Sequence, residues 1–209
     1  MIRLRVDPLH VTADALTPAI SALRSGGVVA FPTETFYGLA VDPRLTFAVT
    51  RLFELKQRLP DQAIPLIAAS MLQVIEQVGT ITPLAKRLAE RGWPGPLTLI
   101  IPASAELSAD IHLSTGRVAV RVPGDPIARA LATQAGHAIT STSANLSGRS
   151  PASTADAVVA AFGEDIDVLI DAGPTPGGLP STIVDTTGSD PVLVRAGAIP
   201  WERVLEFLD

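Results

Sequence analysis

Apolar and polar residues alternate over residues 2–6, and because every second side chain of an extended segment shares a face, this pattern predicts a first strand. Thr12-Ala13-Asp14 then reads as a cap and first turn, opening a helix that runs to about Arg24 and is stopped by Gly26-Gly27. The continuous apolar run 28–31 predicts a buried strand. It opens into Pro32-Thr33-Glu34-Thr35, a turn carrying two hydroxyls and a carboxylate. A helix follows over 47–55, and Pro60 disfavours helical geometry at Leu59, so this helix ends near Lys56-Gln57-Arg58. Further along, the pattern predicts strands at 64–68, 97–101, 118–122, 138–141, 168–171, 182–184 and 192–195. Helices are predicted at 83–90, with Pro83 at its first position, at 126–134 and 154–161, and after Arg195. Helices and strands interleave throughout, which gives an α/β (or α+β) sheet with helices packed on it.

The 18 prolines and 16 glycines gather at junctions, notably Trp93-Pro94-Gly95-Pro96 and Gly173-Pro174-Thr175-Pro176-Gly177-Gly178. These predict rigid loops. No repeat or long linker divides the 209 residues, so a single domain over 1–209 is expected. Hydrophobic residues make up 47% and aromatics only 4%, so the core is built from Ala, Val, Leu and Ile. The same scarcity leaves little material for stacking RNA bases on aromatic platforms.

A formal charge of -5 makes the surface as a whole repel polyanions, while leaving room for a local basic site that selects a small anion such as a nucleoside triphosphate. The absence of cysteine excludes disulfides and thiolate metal sites. Met1-Ile2-Arg3-Leu4-Arg5-Val6-Asp7 soon meets charge and proline, and no apolar stretch approaches a membrane span, so a soluble, cytoplasmic protein is expected.

Several standard sites are absent from the sequence. There is no Gly-x-x-x-x-Gly-Lys-Ser/Thr loop, no Gly-x-Gly-x-x-Gly and no Gly-x-Ser-x-Gly elbow, and His10, His112 and His137 lack metal-ligand spacing. What remains are cations, hydroxyls and an amide. Lys56 and Arg58 are two apart, as are Ser141, Ser143 and Asn145, and extended segments would turn each set to one face. Arg117 and Arg121 flank a predicted strand and Arg195 ends another. Any one of these cations is commonly just a solvated charge, and the Ser-Asn set before Gly148 also suits a turn.

Seven segments together carry a resemblance. Phe31-Pro32-Thr33-Glu34-Thr35-Phe36-Tyr37-Gly38-Leu39, Lys56-Gln57-Arg58, Trp93-Pro94-Gly95-Pro96-Leu97-Thr98, Val120-Arg121-Val122-Pro123, Ser143-Ala144-Asn145-Leu146-Ser147-Gly148, Pro180-Ser181-Thr182-Ile183-Val184-Asp185 and Arg195-Ala196-Gly197 resemble the successive motifs of the YrdC family, in family order over nearly the whole chain. The resemblance implies a twisted, mixed β-sheet flanked by helices around a large concave cleft. It implies a threonylcarbamoyl-AMP synthase, joining L-threonine, bicarbonate and ATP with release of pyrophosphate for tRNA threonylcarbamoyladenosine formation, and Mg2+ accompanying the ATP.

Carried over residue by residue, the resemblance puts Thr33, Arg121, Ser143 and Ser181 around threonine. Lys56, Arg58, Gln62, Arg117, Asn145, Ser153 and Arg195 would face ATP, with Lys56, Arg58, Ser143 and Asn145 nearest the chemistry. No protein metal ligand is identified. A threonylcarbamoyl transferase machinery would take the product onward, with tRNA contacted indirectly or weakly and no membrane involved. Two alternatives are a carbamoyl-adenylate former serving another acceptor, and a non-catalytic RNA-binding module of the same fold.

Overall fold

The computed structural model describes residues 1–57, 63–112 and 115–209. Eleven strands and eight α-helices alternate along these residues. They run β1 (Ile2–Arg5), α1 (Ala13–Arg24), β2 (Val29–Phe31), β3 (Gly38–Ala40), α2 (Thr46–Lys56), β4 (Leu66–Ile67), α3 (Met71–Gln77), α4 (Pro83–Gly92), β5 (Leu97–Pro102) and α5 (Ala109–His112). Then come β6 (Arg117–Arg121), α6 (Pro126–Ala135), β7 (Ile139–Thr140), β8 (Thr142–Ser143), α7 (Ala155–Phe162), β9 (Val168–Asp171), β10 (Thr182–Asp185), β11 (Val192–Arg195) and α8 (Trp201–Glu206).

The helices begin where side chains satisfy their free N–H groups. Thr12, Thr82, Asp125 and Thr154 each accept a hydrogen bond from the backbone N–H three residues on, and Pro83 and Pro126 open their helices. In α1, Leu16, Ala19, Ile20 and Leu23 are buried, the spacing of one helical face.

Two mixed sheets form, where the sequence pattern suggests one. The first has the order β1-β9-β2-β3-β8 and the second β11-β10-β5-β6-β4-β7. They meet at the segment predicted as a single strand over 138–141. Its first part, β7, pairs with β4, and its continuation, β8, pairs with β3. Thr140 marks the crossing: its N–H donates to the Val41 carbonyl at 3.2 Å and its Oγ1 accepts from Val41 N–H at 2.8 Å. The short elements β3, β8, α3 and α5 are absent from the sequence expectation, being too brief for a periodicity to develop.

The period of two sorts the strands between two hydrophobic cores. Val28 and Ala30 point to one core, with Leu39, Leu52, Leu97, Leu99, Val118 and Val120. Val29 and Phe31 point to the other, with Leu16, Leu23, Ile127, Leu131, Val168 and Ile170. The run 28–31 is thus buried on both faces, which is why it reads as continuous rather than alternating. No helix among the described residues is long and apolar enough to cross a membrane.

Candidate active site

Strand register assembles the first part of the site. Leu97, Leu99 and Ile101 of β5 and Val118 and Val120 of β6 fill one core, so Thr98 and Arg121 are turned to the opposite face. In register, β11 pairs Arg195 with Ile183, β10 pairs Ile183 with Thr98, and β6 pairs Arg121 with Ile67. Leu99 opposes Val120, so Thr98 opposes Arg121, and Arg195 and Arg121 lie on one row, three strand spacings or about 14 Å apart at the backbone.

Side-chain bonds tighten this row. Ser181 Oγ lies 2.8 Å from Thr98 Oγ1, and Arg195 Nη2 donates to the Ser181 carbonyl at 2.8 Å and to Ser181 Oγ at 3.1 Å. Gly197 is required by this turn: a Cβ there would stand 2.3 Å from the Pro180 carbonyl oxygen. The backbone of 196–198 therefore presses directly on the chain entering Ser181, closed by Ala198 N–H to the Pro180 carbonyl at 2.8 Å.

Arg121 is buried, and its Nη1 donates to Glu34 Oε1 at 2.6 Å. Burial pushes its guanidinium below the ordinary value, and the charges of Glu34 and Asp125 act in the opposite direction. Arg195 is likewise lowered, by burial and then by the positive charge of Arg121. Arg121 is buried and Arg195 is exposed, yet the two stand near enough for the charge of one to be felt at the other. Glu34 Oε2 is buried without a hydrogen-bond partner. Such an acceptor ordinarily costs about 1–3 kcal/mol.

Lys56 assembles the second part. It is the last residue of α2, so it is helical rather than extended as the two-residue spacing suggests, and Gln57 follows in the left-handed region at φ 51°. Lys56 is buried; its Nζ donates to the Ser143 carbonyl and to the Asn145 carbonyl, the latter at 2.8 Å. Its own carbonyl accepts from both the N–H and the Oγ of Ser147 at 3.0 Å. The 143–147 segment is thus clamped by both ends of one residue. Asn145 departs from an extended course: its N–H donates to the Ser143 carbonyl at 3.0 Å and its Nδ2 to the Leu146 and Arg149 carbonyls. Asn145 Oδ1 is buried and unpartnered.

The loop between β2 and β3 joins the two parts. Gly38 at its end pairs with Ser143, and Glu34 near its start holds Arg121. Thr33 is buried, its Oγ1 donating to the Phe36 carbonyl at 2.7 Å and accepting from the Thr35 N–H, so this hydroxyl shapes the loop. Gly177 N–H donates to the Thr35 carbonyl at 2.7 Å and Thr175 N–H to the Ser153 carbonyl at 2.8 Å, tying the 173–178 loop to the same region.

The structure therefore brings Arg121, Ser181 and Arg195 together, and separately Lys56, Ser143 and Asn145, with Thr33 on the loop between. Ser153 contributes a carbonyl to the adjoining 175 turn. Arg117 stands apart: it is at the opposite end of β6 from Arg121, roughly 13 Å away along the strand, and pairs with Asp185 at 3.1 Å. Arg58 and Gln62 lie outside the described residues. Thr98 and Glu34 are the site members that residue spacing did not single out. Thr98 carried a signal, as a lone hydroxyl inside an apolar strand.

The Sua5/YciO/YrdC family model, described as "Telomere recombination", matches residues 21–197. A threonylcarbamoyl-AMP synthase of Bacillus subtilis is 37% identical over 199 residues, which are 95% of this chain and 58% of that protein. One of Idiomarina loihiensis is 39% identical over 175 residues, 83% of this chain and 94% of that protein. Among solved structures, that of Pyrococcus abyssi Sua5 complexed with L-threonine is 36% identical and superposes with a TM-score of 0.92 over 99% of this chain and 60% of that one. The chain thus spans less than two thirds of the length of the Bacillus and Pyrococcus proteins.

Proposed function

Because the chain belongs to the Sua5/YciO/YrdC family, we propose that it is a threonylcarbamoyl-AMP synthase, working as one domain over residues 1–209. What supports this reading is the row that carries Arg121 and Arg195, with Ser181 bonded to Thr98 and Arg195 beside it, together with the separate Lys56-clamped turn at Ser143 and Asn145. In support, the Pyrococcus relative was solved with L-threonine.

Threonine's neutral amine and bicarbonate give a carbamate with loss of water, and a carbamate oxygen then attacks the α-phosphorus of ATP as pyrophosphate leaves. The chemistry needs no enzyme nucleophile. It needs two mutually repelling anions held in line and the charge on the phosphoryl oxygens stabilised. Arg121 takes the threonine carboxylate, with Thr33, Ser143 and Ser181 around the rest of the amino acid. Lys56, Arg58, Gln62, Asn145, Ser153 and Arg195 line the nucleotide, and Arg117, at the far end of β6, touches it least. Lys56 exchanges a carbonyl partner for phosphate when ATP enters, a change open to a mobile ammonium. Mg2+ brought in with ATP would be held mainly by the nucleotide and would supply neutralising charge at the phosphates. The labile adenylate passes to a transferase acting on tRNA in the cytoplasm.

The test is incubation of the purified protein with ATP and labelled bicarbonate, with and without L-threonine, followed by chromatography of the adenylates. A labelled adenylate formed only with threonine, with one pyrophosphate per adenylate, is the expected result. Equal labelling without threonine would remove the substrate.

A further inference from the structure

Glu34 stands against Arg121 with half of its carboxylate in use. Oε1 accepts from Arg121 Nη1 at 2.6 Å, whereas Oε2 is buried and meets no donor. The protein thus carries a carboxylate acceptor, beside Arg121, that its own groups leave incomplete. The nearby Asp125 does not complete it. Its Oδ1 is taken by the Ala128 N–H at the start of α6, and two carboxylates repel.

The complement of this arrangement is a zwitterion. A guanidinium offers five N–H donors in a fork, and the contact with Glu34 uses Nη1, so the rest of the fork can face a carboxylate. The unfilled oxygen of Glu34 calls for a donor, best a charged one. An α-amino acid carries both groups one carbon apart. Glu34 sits on the turn after β2, and its stem faces Gly124, where even an added Cβ would keep ordinary contact at 3.6 Å from Glu34 Cγ. To meet a ligand beside Arg121, Oε2 would turn about the Glu34 side-chain dihedrals.

We propose that Glu34 receives the amino group of the amino-acid substrate while Arg121 takes its carboxylate, so that the pair selects a zwitterion over a simple carboxylic acid. This rests on the threonine reading above, and it adds a substrate-binding residue outside the set carried over by resemblance.

Calorimetric titration of the full chain with L-threonine and with its des-amino counterpart, 3-hydroxybutyrate, measures the preference directly. The wild type is expected to favour L-threonine by about tenfold or more, the worth of one charge-assisted hydrogen bond. Glu34→Gln is expected to lose most of that preference with little change for 3-hydroxybutyrate. Glu34→Asp keeps a charge for Arg121 but shortens the reach, and its preference is expected to fall about threefold; it serves as the readout if the Gln variant does not fold. Parallel gain or loss of both ligands, or an unchanged preference in the variants, overturns the Glu34 assignment while leaving threonine binding intact. A wild type that binds neither compound overturns the threonine reading and this one with it.

Discussion

Asp42 and Glu34 are both carboxylates drawn out of water beside an arginine, yet their surroundings differ in completeness. Asp42 Oδ1 accepts from the N–H and Nε of Arg44 at 2.9 and 3.0 Å, and Oδ2 faces Arg44 Nη2 at 2.7 Å and His137 Nε2 at 3.3 Å. Every acceptor position is used. Burial alone would raise this carboxyl, but the hydrogen bonds from His137 and Arg44 outweigh it and hold it well below the usual carboxylate range. Glu34 has one oxygen matched and one not. A finished polar network ties the end of β3 to the turn before β7 and serves the fold, while an unfinished one is a cost that stability does not explain. The contrast separates structural charge from charge held ready for a ligand.

The sharpest way to break that contrast is at its structural end. Asp42→Ala strands His137 and is expected to lower unfolding free energy by about 3 kcal/mol in urea titration. The turnover of the folded fraction should stay near wild type; a selective loss of kcat would place Asp42 with the site instead. The sign of the pH effect follows from the depressed carboxyl. Its contribution is in place above about pH 4 and drains as pH falls from there, so the alanine variant should lose that part of the acid sensitivity.

At the other end, Arg121→Lys keeps the charge and loses the fork. A drop of about 10² in kcat/KM is expected, with stability changed far less, because a point charge cannot hold Glu34 and a carboxylate together. Near-normal kcat/KM in this variant would return Arg121 to the structural class.

A smaller effect sharpens the boundary between the two regions. Tyr37 is buried at the end of the β2–β3 loop and its hydroxyl donates to the Gly173 carbonyl at 2.7 Å. Burial is the main reason its phenol is pushed up to about 12. Tyr37→Phe should cost about 1 kcal/mol and raise hydrogen exchange in the 173–178 loop. Because the folded group holds its proton longer than the free one, its contribution persists below about pH 10 and is lost as pH rises toward 12. The phenylalanine variant should lack this alkaline step.

Most helices were legible before any coordinates. Capping residues at Thr12, Thr82, Asp125 and Thr154, prolines at Pro83 and Pro126, and one-sided apolar faces are local signals, and local hydrogen bonds and sterics decide them. The longer strands were legible for the same reason. Two-residue pairings such as β4, β7 and β8 depend on partners far along the chain, so 138–141 read as one strand, whereas β7 within it and its continuation β8 serve two sheets.

Candidate chemistry divides in the same way. Residue type and motif marked Lys56, Arg121, Ser143, Asn145, Ser181 and Arg195, since cations and hydroxyls at turns and strand ends can be picked out from order alone. Their mutual arrangement was beyond reach of any linear pattern. The separation of two residues in Lys56-Gln57-Arg58 suggested extended backbone, but Lys56 closes a helix and turns its ammonium onto carbonyls some ninety residues away, at Ser143 and Asn145. Propensity and periodicity are properties of neighbours in the chain. Which carboxylate meets Arg121, and which of its oxygens is left without a donor, depends on strand register and packing between distant segments, and these exist only once both cores have closed.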